Sequence, residues 1–216
     1  MHCAASLYDY DRGERSRSGV SVMVGIDEAG RGPLAGPVVV AGVELPLDEG
    51  QEFAVYDSKA LTEGERESLA GELRASPRVR IAVAVISAHR IDEINILQAT
   101  HEGMRRVAED LGAELALVDG LKVPRFPTAA RFVVKGDATS ASIAAASIIA
   151  KTTRDHLLRE MDERYPEYGF ASHKGYGTRE HLEALRRYGP CPEHRLTFAP
   201  VKAILNPPPT QLELPI

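Results

Sequence analysis

Short apolar runs alternate along the chain with longer stretches in which apolar residues recur every three or four positions. Five of the runs read as strands, at 22–26, 37–43, 79–86, 115–118 and 131–134. Most are continuously apolar, the pattern of strands covered by helices on both faces. Helical stretches lie between and after them. Thr62 and Glu65 have capping-box spacing and open a helix that runs to about Ala75. Ile94, Leu97, Met104, Ala108 and Leu111 share a helical period within 91–111, and Gly112 stops it. The segment 139–165 begins with small residues from Ser140 to Ser147, which lets a helix approach another surface closely, and a last helix covers 178–188. Three strands with short connections, then helix, strand, strand and helix, specify an α/β fold with a mixed sheet. The helix between the third and fourth strands serves as a crossover.

Residues 20–205 show no repeat, linker or composition shift and read as one domain. Residues 1–19 are expected to be a flexible or short helical lead-in, and 206–216 a flexible Pro-rich tail. The 216 residues, 44% hydrophobic and 26% charged, suffice to bury a sizeable core. No apolar run approaches the ~20 residues that span a bilayer. The polar N-terminal stretch contains no apolar signal segment. A cytoplasmic chain is expected, with its two cysteines, Cys3 and Cys191, unpaired. The formal net charge of -5 argues against indiscriminate nucleic-acid binding. It leaves room for a site whose carboxylates are offset by divalent ions.

The acids fall at informative places. The first strand runs into Asp27-Glu28, the fourth into Asp119-Gly120, and the fifth reaches Asp137 through Lys135-Gly136. In open α/β sheets ligands bind outside the carboxyl ends of the strands. If these strands are parallel neighbours, Asp27, Glu28, Asp119 and Asp137 converge, and their repulsion calls for a neutralising group. Oxygen ligands without Cys or His point to Mg²⁺ or Mn²⁺. Each acid also has an ordinary explanation: Asp119-Gly120 is turn chemistry, and Asp137 can open the helix after it. Spacing does not name a phosphodiester as the substrate. Adjacent strand residues face opposite sides, so Asp27 and Glu28 are expected to share a site only if the strand breaks there, which Gly30 and Gly32 permit.

At these residues the chain resembles the ribonuclease HII family, over roughly 20–202. The run Gly25-Ile26-Asp27-Glu28-Ala29-Gly30-Arg31-Gly32-Pro33-Leu34-Ala35-Gly36-Pro37-Val38 is similar to the family's opening signature. Further blocks follow in order: Asp57-Ser58-Lys59, Asn95-Ile96-Leu97-Gln98-Ala99-Thr100, Lys135-Gly136-Asp137-Ala138-Thr139 with Ser147-Ile148-Ile149-Ala150-Lys151, and His173-Lys174-Gly175-Tyr176-Gly177-Thr178. The resemblance implies a ribonuclease H-like fold in which Asp27, Glu28, Asp119 and Asp137 hold two Mn²⁺ or Mg²⁺ ions. It implies cutting of the RNA strand of RNA–DNA hybrids, and on the 5′ side of ribonucleotides in duplex DNA, leaving 3′-hydroxyl and 5′-phosphate ends. Gly30-Arg31-Gly32 resembles the loop that reads the ribose 2′-hydroxyl through backbone groups. Tyr176 resembles the tyrosine that packs on the sugar at the ribonucleotide–DNA junction. Lys59, Lys151 and Lys174, with Arg154 and Arg179 nearby, are candidates for phosphate contact, which positions a duplex without reading its sequence.

The late block His194-Arg195-Leu196-Thr197-Phe198-Ala199-Pro200-Val201 departs from the family pattern, with Leu196 and Thr197 in place of a basic residue and Ser. The ending Gln211-Leu212-Glu213-Leu214-Pro215-Ile216 is similar to peptides that dock on the replication sliding clamp. The competing readings are a ribonuclease HIII-like enzyme and a catalytically silent nucleic-acid-binding protein of the same fold.

Overall fold

The computed structural model describes residues 4–48, 50, 52–55 and 61–206. The strands β1 (Met23–Ala29), β2 (Val38–Glu44), β3 (Arg80–Ile86), β4 (Leu115–Asp119) and β5 (Ala129–Val133) form one five-stranded sheet in the order β3-β2-β1-β4-β5. β1 pairs antiparallel with β2 and parallel with β4, and β4 pairs parallel with β5. The sheet is therefore mixed, as its connections demand. The helices are α1 (Ala4–Ser18), α2 (Glu63–Ala75), α3 (Ala88–Asp110), α4 (Ala141–Arg164), α5 (Phe170–His173), α6 (Arg179–Tyr188) and α7 (Ala199–Leu205).

Successive strand residues serve opposite cores. Met23, Leu115 and Leu117 pack in the core shared with residues of α1, α2 and α4. Val24, Ile26, Ala116 and Val118 pack on the other side with residues of α3. The small residues of α4 act as expected: a Cβ on Gly25 would stand 2.1 Å from the carbonyl carbon of Ser142, so only glycine lets the helix backbone seat on β1. The inner strands are covered on both faces, whereas β3 and β5 alternate and leave side chains such as Val85 exposed. They are the sheet's edges.

Four local features differ from expectation. Asp27 and Glu28 lie inside β1, and the strand does not break between them. The segment before β1 is a 15-residue helix whose Leu7 and Tyr8 are buried in the core. Its Asp11 accepts from the backbone N–H and the hydroxyl of Ser142 at 2.8 and 2.7 Å, joining α1 to the start of α4. α3 begins before residue 91 and is kinked at Asn95 (φ 65°), whose side-chain oxygen accepts from the N–H groups of Leu97 and Gln98 and so caps the second half. The short helices α5 and α7 leave no period in the sequence; with α6 they build a third core on the C-terminal half of α4, around Leu158, Met161, Phe170 and Leu185.

Candidate active site

The parallel pairing of β1 with β4 sets Ile26 beside Val118, so Asp27 and Asp119 are the next neighbours at the carboxyl ends of both strands. By strand alternation both face α4 and Glu28 faces α3. Asp27 is buried, and one of its oxygens accepts from the Glu28 N–H at 2.7 Å. Burial, then the charges of Glu28 and Asp119, push its carboxyl up to about 8, against the opposing hydrogen bond from Ser147. Glu28 is raised as well, by burial first, with the Arg31 guanidinium opposing at 3.2 Å. One buried oxygen of Glu28, Oε2, has no hydrogen-bond partner.

Asp137 reaches the same end of the sheet by another route. β5 stops at Val133, Lys135 takes a left-handed conformation (φ 56°), and Gly136–Ala138 makes one 3-10 turn carrying the buried Asp137. The Gly136 N–H donates to Asp119 at 2.6 Å and ties that turn to β4. Among the described residues, no group of three or more His, Cys, Asp or Glu is drawn together closely enough to hold an ion. Asp27, Glu28 and Asp119 thus form a mutually repelling set without being a closed ligand cage.

Beside the acids lies the loop Gly30-Arg31-Gly32. Gly30 has φ +92°, and a Cβ there would fall 2.0 Å from Nε of Arg154, so the position requires glycine. Two buried arginines hold this loop and its surroundings. Arg195 donates to the carbonyls of Gly30 (2.6 Å), Arg31 (2.9 Å) and Gly36 (2.8 and 3.0 Å). Arg154 donates to those of Ala35, Pro37 and Lys174 at 3.2, 3.1 and 3.0 Å. Burial pulls Arg154 down to about 10 and Arg195 down to about 9, which leaves both cationic at neutral pH. By its place in the sequence Arg154 groups with the candidate phosphate contacts. The structure gives it a different task, because its guanidinium is occupied by backbone carbonyls.

A groove of ≈ 410 Å³ runs past Glu28 and Gly30 between Lys151, Lys174 and Tyr176. Tyr176 is half exposed, and its ring edge lies 3.5 Å from where a Cβ on Gly32 would stand. Lys174 pairs with Glu63 at 3.6 Å. Glu63 and Asp155 also line the groove, so its charge is mixed. Arg179, exposed at the start of α6, pairs with Glu180 and Glu183. Lys59 and its block lie outside the described residues, as does the ending from Gln211 to Ile216. A second cleft of ≈ 190 Å³ lies on the α3 side of Glu28, lined also by Asp119, Arg31, His101 and Leu121. The sequence carries no sign of it, because these residues come from three separated segments. Leu196 is exposed, and its N–H with that of Thr197 is held by Asp92 at 2.8 and 2.9 Å.

The family profile described as Ribonuclease HII matches residues 24–201. The chain belongs to the ribonuclease HII family. It is 52% identical to the ribonuclease HII of Geobacillus kaustophilus over 202 residues, 93% of this chain and 76% of that relative. The ribonuclease H2 of Pyrococcus horikoshii superposes with a TM-score of 0.70 at 28% identity, covering 85% of this chain and 97% of that one. A ribonuclease HII from Archaeoglobus fulgidus, solved as a PCNA:RNase HII complex, gives 0.71 at 30% identity, over 82% and 95%. Membership makes this chain a ribonuclease H of type HII, a metal-dependent nuclease.

The residues present fit a divalent cation. The donors are carboxylate oxygens only, the chemistry of a hard ion. Glu28 carries a buried oxygen that no protein group satisfies, and burying Asp27 beside two further acids is unfavourable until a positive charge offsets it.

Proposed function

We propose that this ribonuclease HII cuts the RNA strand of RNA–DNA hybrids, and the 5′ side of ribonucleotides embedded in duplex DNA, at the end of the sheet formed by β1 and β4. The observation that carries this reading is the pairing of Asp27 with Asp119 at adjacent strand ends, with the Asp27 carboxyl pushed up to about 8 by burial and by its acidic neighbours. Such a pair gains most from cations and a phosphate brought together. Asp27 and Asp119 would hold one Mg²⁺ or Mn²⁺, and Glu28 and Asp137 would help hold a second. When bound, the two ions lower the pKa of an attacking water and offset charge on the departing 3′-oxygen.

The chain's other residues orient the substrate. The glycines of Gly30-Arg31-Gly32 let backbone groups approach the ribose 2′-hydroxyl, the atom that separates RNA from DNA. Tyr176 packs on the adjoining sugar, and Lys151, Lys174 and Lys59 neutralise phosphates. Because those contacts ignore the bases, cleavage should be insensitive to sequence and weakened by salt. Among the described residues no helix is long and apolar enough to cross a membrane. The reading places the enzyme's work in the cytoplasm, a setting that suits the unpaired, buried Cys191.

A duplex carrying one ribonucleotide, incubated with Mg²⁺ or Mn²⁺ and separately with EDTA, tests the proposal when the product ends are mapped. Metal-dependent cuts 5′ to the ribonucleotide that leave a 3′-hydroxyl support it; a 2′,3′-cyclic phosphate end rules it out. The ending from Gln211 to Ile216 is proposed to dock on a sliding clamp, in keeping with the PCNA complex of the Archaeoglobus relative. Equal clamp retention by the full chain and by one ending at Asn206 would remove that part.

A further inference from the structure

Behind Tyr176 lies a cluster of buried imidazoles that the reaction does not use. His181 Nδ1 stands 2.8 Å from the carbonyl oxygen of Tyr176. A carbonyl can only accept, so Nδ1 carries the proton. His181 Nε2 lies 3.0 Å from Nε2 of His194, which must then donate. His194 Nδ1 is left as an acceptor, and it takes the N–H of Cys191 at 3.0 Å. One direction of donation therefore runs from Cys191 through His194 and His181 to the backbone of Tyr176, with both tautomers fixed. Burial lowers both histidines, His194 to about 4, which keeps the chain neutral. His173 adds a second hold. Its ring stacks on His181 at 4.4 Å, its Nδ1 accepts from Gly175 N–H at 3.2 Å, and its carbonyl accepts from Tyr176 N–H at 2.9 Å.

The relay starts in the segment that also holds the opposite wall. His194 reaches Tyr176 through His181, and the next residue, Arg195, donates to the carbonyls of Gly30 and Arg31. Two consecutive residues thus fix the two loops whose separation defines the slot between Gly32 and Tyr176. We infer that His181 and His194 are positioning residues that latch Tyr176 at a set distance from the Gly30–Gly32 loop. The consequence for substrate rests on the proposed contact of Tyr176 with the sugar; the latch itself does not.

The chain contains no tryptophan, so Tyr176→Trp places a single, selectively excitable indole at the latch. Time-resolved anisotropy of that ring, without substrate, is compared in three further variants. An Asn amide nitrogen overlays the imidazole Nδ1, and a Gln amide nitrogen overlays Nε2. His181→Asn should therefore keep the ring held, while His181→Gln and His181→Ala should enlarge the fast, wide-angle component. Circular dichroism reports whether each variant is folded. Equal ring mobility in the Asn and Gln variants overturns the latch. So does loss of fold in all three variants, since a latch on one loop is not a condition of folding. With Tyr176 restored, His181→Ala should raise KM for a single-ribonucleotide duplex about 5-fold, the order of one hydrogen bond, with kcat moving less. A freed ring with unchanged KM leaves the latch standing and removes the sugar contact of Tyr176.

Discussion

The ring of Tyr176 lies against Gly32: a Cβ built on that glycine would meet the ring's Cε1 at 3.5 Å. This is ordinary van der Waals distance, so a methyl group fits but narrows the slot between the two loops. Gly30, two residues earlier, is different. A Cβ there would be 2.0 Å from Nε of Arg154, and φ +92° already disfavours any side chain.

Gly32→Ala is accordingly expected to leave the melting temperature nearly unchanged and to raise KM. Gly30→Ala is expected to destabilise by ~1–3 kcal/mol through backbone strain and displacement of Arg154. Thermal melts beside steady-state kinetics separate the two. Equal melting losses in both variants would show that the loop is not held in the way described.

Asp27 gives a pH signature. Its folded carboxyl, at about 8, lies above the ordinary value of 3.8. The folded state then binds more protons than the unfolded state between those values. The contribution of Asp27 to stability therefore falls as pH rises from about 4 to 8 and stays lost above. In metal-free protein, Asp27→Asn should match the parent near pH 4 and exceed it by ~1–3 kcal/mol at pH 8. Denaturant melts across that range check this; a constant difference between the two proteins contradicts the burial of a charged Asp27.

Removal of Arg195 should be costly. Its guanidinium supplies the carbonyls of Gly30, Arg31 and Gly36, and truncation strands them out of water. Arg195→Met is expected to cost ~3–5 kcal/mol, and Arg195→Lys to recover little, because an ammonium lacks the planar fork. Recovery by Lys to parental stability in urea melts would mean that charge, rather than the geometry of the fork, is what matters there.

Asp11 carries a prediction about a helix lying before the matched family region 24–201. It accepts from the N–H and hydroxyl of Ser142 at the first turn of α4. Asp11→Ala should cost ~1–2 kcal/mol, the range of a lost helix cap. A melting temperature within error of the parent would show that α1 does not brace α4.

Much of this arrangement was legible in the sequence for physical reasons. The apolar runs marked the inner strands β1, β2 and β4 because strands buried on both faces must be apolar, and Thr62 with Glu65 gave the start of α2 because its cap is local. The acids at strand ends stood out because few other residues interrupt those runs. What stayed hidden depends on tertiary partners. α1 has little amphipathic pattern and is held by Leu7, Tyr8 and Asp11, whose partners lie far along the chain. Glu28 continues β1, so its place on the face opposite Asp27 follows from pairing with β2 as far as Ala29. Arg154 and Arg195 look in sequence like any surface cations; only the carbonyls around them reveal the task. The histidine relay is equally silent, since His173, His181 and His194 meet only through the packing of α5, α6 and the segment after α6.

In the proposed reaction Asp27, Glu28, Asp119 and Asp137 would hold the divalent ions that drive cleavage. The most direct measurement is the cleavage rate of Asp119→Asn on a single-ribonucleotide duplex with Mg²⁺ or Mn²⁺, at a concentration where binding is shown to equal the parent's. The rate should fall by at least ~1,000-fold, as for loss of a principal charge-stabilising group, while fold and duplex affinity persist. Cleavage at the parental rate by that variant would contradict the claim.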